Sequence, residues 1–553
     1  LSLNAPAEPP PQLGVLTDGE GLSPIVGHDG RSPPSYLAYL TSALPYALLD
    51  RPRVLVLGAG GGADVLQALG LGAASVDAVE LNPQVVELVR DRFGGFSGGI
   101  YQRARLHLAE ARAFAERDAG HYNLVQLALL DSFAASAAGV HSLAEGYLYT
   151  VEGMGAYLRR LTPGGMLAIT RWVTLPPRDP LKLFATAAEA LRAAGVRDPG
   201  AQLAMIRSWK TATLLAKNAP FSSAEITAVK RFCESRGFDL AWYPGMREDE
   251  ADRYNLLERP WFHEGAVGLL SPRREAFVED YKFDIRPATD DRPFFFNFFR
   301  WRTLPELLAL RGQGGLPLLD WGYPVLIATL GQALLASALF ILLPLWVAQR
   351  RGRGDLSRPG ERWRVAVYFS AIGFAFMFVE IALIQKFILF LGHPIHAAAA
   401  VIAAFLLFAG LGSLCSAGVA GFLAARFPGL RPVSAAVACI VGMILLCVVA
   451  LPHLFGLLAP LPQAARLAAA VAMVAPLAFW MGMPLPLAIA RLGGPERVAW
   501  AWGLNGFASV VGAVLATLLA IHLGFNRVLG LAALLYVAAA AGAPCADRAT
   551  AAG

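Results

Sequence analysis

Val54-Leu55-Val56-Leu57-Gly58-Ala59-Gly60-Gly61-Gly62 decides how the first half of this chain is read. Residues 53–57 form a continuous apolar run short enough for a buried strand. The glycines that follow permit a tight turn, and a helical pattern then runs to about Leu69. Working outward, strands are expected at 75–79, around Leu106, at 124–130 and at 166–172. A helix opens at Pro83, a first-turn position that suits proline. Another is expected over 147–161, and Pro163-Gly164-Gly165 reads as the turn before the fifth strand. Fully apolar strands alternating with helices predict a doubly wound α/β fold, with a mainly parallel sheet covered on both faces. Further on, the pattern predicts a helix from 180, strands at 212–216 and 240–243, and between them a helix whose Ser222-x-x-Glu225 is a capping-box signature. Upstream, a strand–turn near 15–21 and a helix over 35–49 lead into the first strand. From 250 to 300 the pattern weakens.

The glycine turn carries chemistry as well as fold. Glycines let a ligand approach the backbone, and the following helix aims its free amides at it. Glu80 ends the next strand, 22 residues after Gly58, where an acceptor for ribose hydroxyls lies in a doubly wound sheet. Glu110 follows the third strand and can accept from an adenine amine. Gly58, Gly60, Gly62, Glu80 and Glu110 are therefore the nucleoside-binding candidates. No phosphate-loop signature occurs, and the spacing leaves a dinucleotide and S-adenosylmethionine both open.

Gly58-x-Gly60-x-Gly62 followed by Glu80 and Glu110 resembles the S-adenosylmethionine-dependent methyltransferase fold, and within it the spermidine synthase family. Leu16-Thr17-Asp18-Gly19 resembles that family's Leu-x-Asp-Gly turn, and Val79-Glu80-Leu81-Asn82 its Val-Glu-Ile-Asp. Leu148-Tyr149-Thr150-Val151-Glu152, Pro163-Gly164-Gly165 and the stretch from Trp209 to Lys217 resemble its later helix, turn and antiparallel strand. The resemblance covers roughly residues 13–245. It implies S-adenosylmethionine or its decarboxylated form as cofactor, and aminopropyl or methyl transfer to a small-molecule acceptor.

The chain departs from the family at the acceptor side. Counted without gaps from Tyr122, the family's Asp-Ser-x-Asp places Ala128 at the first acid and Asp131 at the second, and the acid of its glycine loop falls at Gly61. Gly153-Met154 replaces its Phe-Tyr. A diamine dication needs several carboxylates to replace its hydration, so these losses argue against putrescine as acceptor. Asp131 remains as the candidate base, with a turn cap as its structural alternative. Tyr147 and Tyr149 are candidate acceptor contacts, beside His141, Glu145, Arg171 and Trp172; an ordinary loop and buried packing are the alternatives. No His/Cys cluster has metal spacing, so no metal is expected.

Composition decides the second half. Of 553 residues, 56% are hydrophobic and only 16% charged, against roughly 45–50% and about 25% in soluble domains. This excludes a disordered or disulfide-framed chain. Seven apolar runs, each near the ~20 residues that span a bilayer, lie at 322–347, 364–391, 396–424, 434–456, 467–490, 499–521 and 527–543. Small residues at Ala409-Gly410-Leu411-Gly412-Ser413 suit close helix packing. Glu380, Lys386, His393 and His396 are the polar candidates in or beside spans, with Asn505. Glu380 and Lys386, six residues apart, project about 120° apart around a helix. They mark a polar path or small-molecule site; the alternative is interhelical hydrogen bonding with a snorkelling Lys386.

From residue 321 onward there are 14 Lys+Arg and 5 Asp+Glu, against 33 and 36 before it. The net charge of +6 thus belongs to membrane-flanking loops. No basic stripe with interleaved aromatics points to nucleic acid. Six arginines between Gln349 and Arg364 read as cytoplasmic, which puts residues 1–320 outside, whereas S-adenosylmethionine is expected inside. The predicted organisation is a strand–turn and helix lead-in over 1–50, a spermidine-synthase-like nucleoside-binding domain over 51–250, a connector over 251–320 and a transmembrane bundle of about seven helices over 321–545. The start at Leu1 in Pro-rich coil points to further residues upstream. The resemblance implies a multi-pass protein of the bacterial-type inner membrane, acting as a transferase. The alternative is a membrane transport or sensing protein whose nucleoside-binding domain is catalytically inactive. Oligomerisation through either half stays open.

Overall fold

The computed structural model describes residues 1–6, 8–17, 21–129, 146–309, 322–348, 359–492 and 495–543. They form two compact units, Leu1–Tyr323 and Pro324–Gly553, each described by itself.

In the first unit β1 (Gln12–Thr17) and β2 (Gly21–Val26) make an antiparallel hairpin. The helix expected over 35–49 is broken. Leu40 takes extended backbone (φ −100°, ψ 152°), so the stretch divides into 3₁₀ turns at Ser35–Tyr39 and Thr41–Ala43 and a short α1 (Leu44–Leu48). Then come β3 (Arg53–Leu57), α2 (Ala63–Gly70), β4 (Ser75–Glu80), α3 (Pro83–Glu87), β5 (Arg105–Leu108), α4 (Ala111–Arg117) and β6 (Tyr122–Leu127). After these follow α5 (Val151–Arg159), β7 (Leu161–Trp172), α6 (Asp179–Ala193), β8 (Leu203–Arg207), β9 (Thr211–Lys217), α7 (Ser223–Arg236) and β10 (Asp239–Trp242). One eight-stranded sheet runs β10-β8-β9-β7-β6-β3-β4-β5. β3 pairs in parallel with both β4 and β6, β4 with β5, and β6 with β7; β9 lies antiparallel between β7 and β8. This is a Rossmann-like α/β fold of the methyltransferase type, followed by a second unit of long apolar helices.

The sheet is buried because β3 and β6 send apolar side chains to both faces, Gln126 of β6 excepted. Leu55, Leu57, Val125 and Leu127 enter one core, and Val54, Val56 and Leu124 the other. The expected capping box exists: Ser222 Oγ accepts from Glu225 N, and Glu225 Oε2 accepts from Ser222 N. The helix expected over 147–161 is a 3₁₀ turn at Tyr147–Tyr149 and then α5, whose N-cap Thr150 accepts from Gly153 N at 3.1 Å. The strand β8 was not anticipated. It ends in Arg207, buried at 1% exposure and paired with Asp239 and Asp252. Beyond 250, α8 (Trp261–Leu270) and α9 (Arg274–Asp280) fold. Ile285, Ala288, Phe295 and Phe296 from the following extended strap join the core of Leu55 and Leu57.

Among the described residues, seven helices are long and apolar enough to cross a membrane: Gly322–Val347, Trp363–Leu391, Pro394–Arg426, Pro432–Leu458, Gln463–Ile489, Arg497–Leu523 and Phe525–Gly542. They match the seven apolar runs within a few residues. The third and fifth pack at backbone contact. A Cβ on Gly412 would stand 1.9 Å from Phe479 O, and one on Gly482 2.0 Å from Ala409 O.

Candidate functional site

The strand order reverses direction at β3: β4 and β5 extend to one side, β6 and β7 to the other. Ligands of open α/β sheets sit in the crevice beyond the carboxyl ends at such a point. Here that crevice begins at the glycine turn. Gly58, Gly60 and Gly62 all have positive φ (77°, 51° and 86°), which favours glycine over any residue with a Cβ. Gly58 N and Ala59 N both donate to Val79 O at 2.9 Å. Gly60 N donates to Glu80 Oε2 and Asn82 N to Glu80 Oε1, both at 2.8 Å. Glu80 thus fixes the turn against the end of β4. Each carboxylate oxygen keeps a further lone pair, the capacity a ribose diol needs.

The turn is also covered from within the chain. Gly61 N donates to Ser23 Oγ at 2.7 Å, and Tyr101 OH donates to Gly60 O. A Cβ on Gly60 would lie 2.3 Å from Ser23 Oγ, and one on Gly61 2.3 Å from Pro24 O. At these two positions the group approaching the glycines is β2. Glu110 caps α4, accepting from Arg112 N (3.0 Å) and Ala113 N (2.7 Å). Burial raises its carboxyl pKa, against the two amide bonds, which lower it.

Asp131, His141 and Glu145 lie outside the described residues, as does part of the Leu16–Gly19 motif. Ala128, where the family resemblance places an acid, is buried at the end of β6, and its N–H donates to Leu57 O. Tyr147 and Tyr149 are both buried. Arg171 Nη1 donates to Tyr149 OH at 3.1 Å, and its guanidinium lies over the Tyr149 and Phe296 rings. Behind them the strap is stapled down. Arg112 meets Asp290 through two bonds of 2.6 Å, Thr150 Oγ1 donates to the same carboxylate, and Gly146 N donates to Pro293 O. Lys182, buried, donates to Phe294 O and Asn297 O, and burial pushes its pKa down to about 7.

Sequence reading missed one polar cluster. Asp64, in the first turn of α2, accepts from Gln126 Nε2 at 2.5 Å. Gln126 Oε1 accepts from Tyr46 OH at 2.6 Å, and Gln126 Nε2 also reaches Gln67 Oε1 at 3.2 Å. Gln67 in turn donates to Leu37 O. Burial raises the Asp64 carboxyl pKa, and burial followed by the Asp64 charge pushes Tyr36 up to about 12. The signal was present: Gln126 is the one polar residue in the buried run Leu124-Val125-Gln126-Leu127 that ends β6.

Among the membrane candidates, the His393 and His396 rings stand 4.6 Å apart, and His396 Nδ1 lies 2.9 Å from Gln463 Nε2. Glu380 and Lys386 lie within the second span, and Asn505 Nδ2 donates to Phe369 O. Arg466, not singled out from sequence, is buried in the fifth span and donates to Phe390 O at 2.9 Å. Among the described residues no group of three or more His, Cys, Asp or Glu could hold a metal ion.

No family model matches the sequence, and no curated protein matches it. Similar solved structures include a spermidine synthase in complex with the transition-state analogue AdoDATO (12% identity, 48% of this chain, 86% of that chain, TM-score 0.28). A probable spermidine synthase from Corynebacterium glutamicum is 17% identical over 47% of this chain and 91% of its own, with a TM-score of 0.31. Human methyltransferase-like protein 13 in complex with SAH is 17% identical over 36% and 88%, with a TM-score of 0.24. At such scores the fold rests on the chain's own strand order.

Proposed function

We propose that this chain is a membrane-embedded transferase whose α/β unit binds S-adenosylmethionine or its decarboxylated form and transfers a methyl or aminopropyl group to a small-molecule acceptor. The observation that carries this reading is the carboxylate of Glu80, fixed to Gly60 N across the point where the strand order reverses. The residues present fit such a nucleoside: Glu80, held by the glycine turn, for the ribose hydroxyls, and the face around Glu110 and α4 for the base. When bound, the sulfonium supplies an electrophilic carbon; the protein's part is to hold it and to position the acceptor. Apolar Ala128 at the end of β6 argues against putrescine, whose two ammonium groups need carboxylates on both sides. Calorimetry on the full chain in detergent, against S-adenosylmethionine, its decarboxylated form and methylthioadenosine, tests the reading. Binding of at least one supports it, and binding of none overturns it.

The seven apolar helices support a multi-pass membrane protein, and the bacterial inner membrane is the location this reading proposes. A second reading, a transport or sensing protein with an inactive nucleoside-binding domain, draws on the polar groups Glu380, Lys386, His393, His396 and Arg466 in and beside the spans, because such groups are costly there and tend to be functional. Nucleoside binding without turnover of any acceptor would favour it.

A further inference from the structure

Three described acids lie at or beyond the ends of β3, β4 and β5, and they differ in what their oxygens do. Glu80 and Glu110 each have both oxygens held by backbone amides. Asp64 does not. Among the described residues its hydrogen bond comes from Gln126 Nε2 and reaches Oδ1. An acid in the first turn of a helix ordinarily serves the helix dipole or caps its amides. The Asp64 side chain instead crosses from α2 to β6. Gln126 is itself held by Tyr46 OH, so the carboxylate is positioned by a chain of two hydrogen bonds that begins on α1. No cationic side chain among the described residues forms an ion pair with it, and its raised pKa traces to burial alone.

The described groups around Asp64 come from several elements. Tyr36 comes from the 3₁₀ turn before α1 and Tyr46 from α1, and both have phenol pKa values raised by burial and then by Asp64. Tyr101 and Glu80 are tied to Gly60 at the neighbouring turn. β2 carries no ionisable side chain, and the only one on β3, Arg53, stands at the strand's other end. Among the described residues, a carboxylate so placed, two residues past the glycine turn and bonded across to Gln126 of β6, has no positive partner, a place that a cationic ligand fills.

We infer that Asp64 is the acceptor-binding carboxylate of this site, and that it takes an amine bearing a single ammonium group. This rests on the transferase reading above. It places the acid on α2 rather than at the end of β6, where Ala128 stands. In the reaction the ammonium first gives a proton to Asp64 Oδ2, which passes it to water. The amine lone pair then forms the new C–N bond to the sulfonium carbon. The C–S bond breaks with its electrons going to sulfur, which leaves as a neutral thioether. One proton is released per transfer. Tyr46 and Gln126 are positioning residues, acting through Asp64.

The test is equilibrium binding, independent of turnover. Full-length protein in detergent is titrated with n-butylamine, n-butanol and putrescine, each with and without methylthioadenosine. Wild type is expected to bind n-butylamine at least tenfold more tightly than n-butanol, with putrescine no tighter than the monoamine. D64N is expected to lose at least tenfold in n-butylamine affinity while methylthioadenosine affinity stays within twofold, and D64E to recover part of the loss. Gln126→Leu, which removes the bond to Oδ1 and keeps the carboxylate, is expected to cost at least threefold. Amine affinity equal to wild type in both D64N and Q126L overturns the inference, as does an absence of amine binding to wild type or a clear preference for putrescine. If D64N loses nucleoside binding as well, Q126L alone decides. Amine binding that is sensitive to Asp64 in a protein that binds no nucleoside would sink the transferase reading and leave Asp64 as an amine site.

Discussion

Replacing Glu80 by Gln tests whether one carboxylate builds both the turn and the nucleoside site. The side chain keeps its shape and one carbonyl oxygen, but its other terminus becomes NH₂, a donor that faces either Gly60 N–H or Asn82 N–H. One charge-assisted bond of 2.8 Å is lost and the other becomes neutral. Bonds to charged groups contribute about 1.5–3 kcal/mol each against about 1 for neutral ones. Glu80 is only partly buried, so water recovers some of the loss. The local cost should be about 1.5–3 kcal/mol, which is roughly 10- to 150-fold at 1.4 kcal/mol per decade. Hydrogen exchange followed by mass spectrometry reads it directly. Peptides spanning the glycine turn and the start of α3 should exchange roughly 10- to 150-fold faster in E80Q, while peptides from β7 and β9 hold their protection. Methylthioadenosine affinity should fall by a comparable factor. Exchange at Gly60 and Asn82 equal to wild type would refute the claim that Glu80 holds the turn. Unchanged affinity with faster exchange would separate the turn from the ligand.

Gly61→Ala places a methyl 2.3 Å from Pro24 O, so β2 must shift; a loss of about 1–3 kcal/mol is expected, seen as a lower thermal midpoint in near-UV circular dichroism. Gly412→Leu or Gly482→Leu should part the third and fifth spans, where the backbones meet near 2 Å from the added Cβ, and lower the melting temperature in detergent more than Gly410→Leu, whose Cβ meets open space. Lys182 binds fewer protons folded than unfolded between about pH 7 and its ordinary value near 10.4, so stability should rise with pH across that window; Lys182→Met should flatten the rise, and an unchanged slope would show that the amine is not buried as described. Single cysteines at Ser357 and Glu234, on a cysteine-free background, should label on opposite sides of the membrane with an impermeant maleimide if the arginine-rich loop is cytoplasmic; labelling of both or neither in intact cells defeats a single crossing between them.

Much of the fold could be read from the sequence because its strands are apolar on both faces and its turns are marked by glycine and proline. β3, β4 and the seven spans lie within a few residues of where periodicity places them. The failures have physical causes. β8 was missed because its run of four apolar residues ends in arginine, and nothing in Leu203-Ala204-Met205-Ile206-Arg207 announces that Asp239 and Asp252 will neutralise it. The helix at 261–270 carries Phe262, Ala266 and Leu269 at i, i+4 and i+7 on its buried face, but at ten residues, with two glycines, that pattern is short; the helix at 274–280 has no buried residue to mark it. At the site, spacing located the glycine turn, Glu80 and Glu110, since those positions are set by local strand ends. It could not find Asp64, whose place depends on Gln126, 62 positions away in sequence.

The strap from Ala288 to Phe299 also sets a schedule. Its Phe295 and Phe296 fill the same core as Leu55 and Leu57, so β3 waits for about 240 further residues to be translated before its packing is complete. The first span begins at Gly322, only 23 residues after Phe299. At about 5–20 residues per second, that is an interval of roughly 1–5 s. Completion of the α/β core and emergence of the apolar helix that follows it therefore fall within one short period of synthesis, and a ribosomal pause placed between the codons for residues 300 and 322 would lengthen the time in which the first can precede the second.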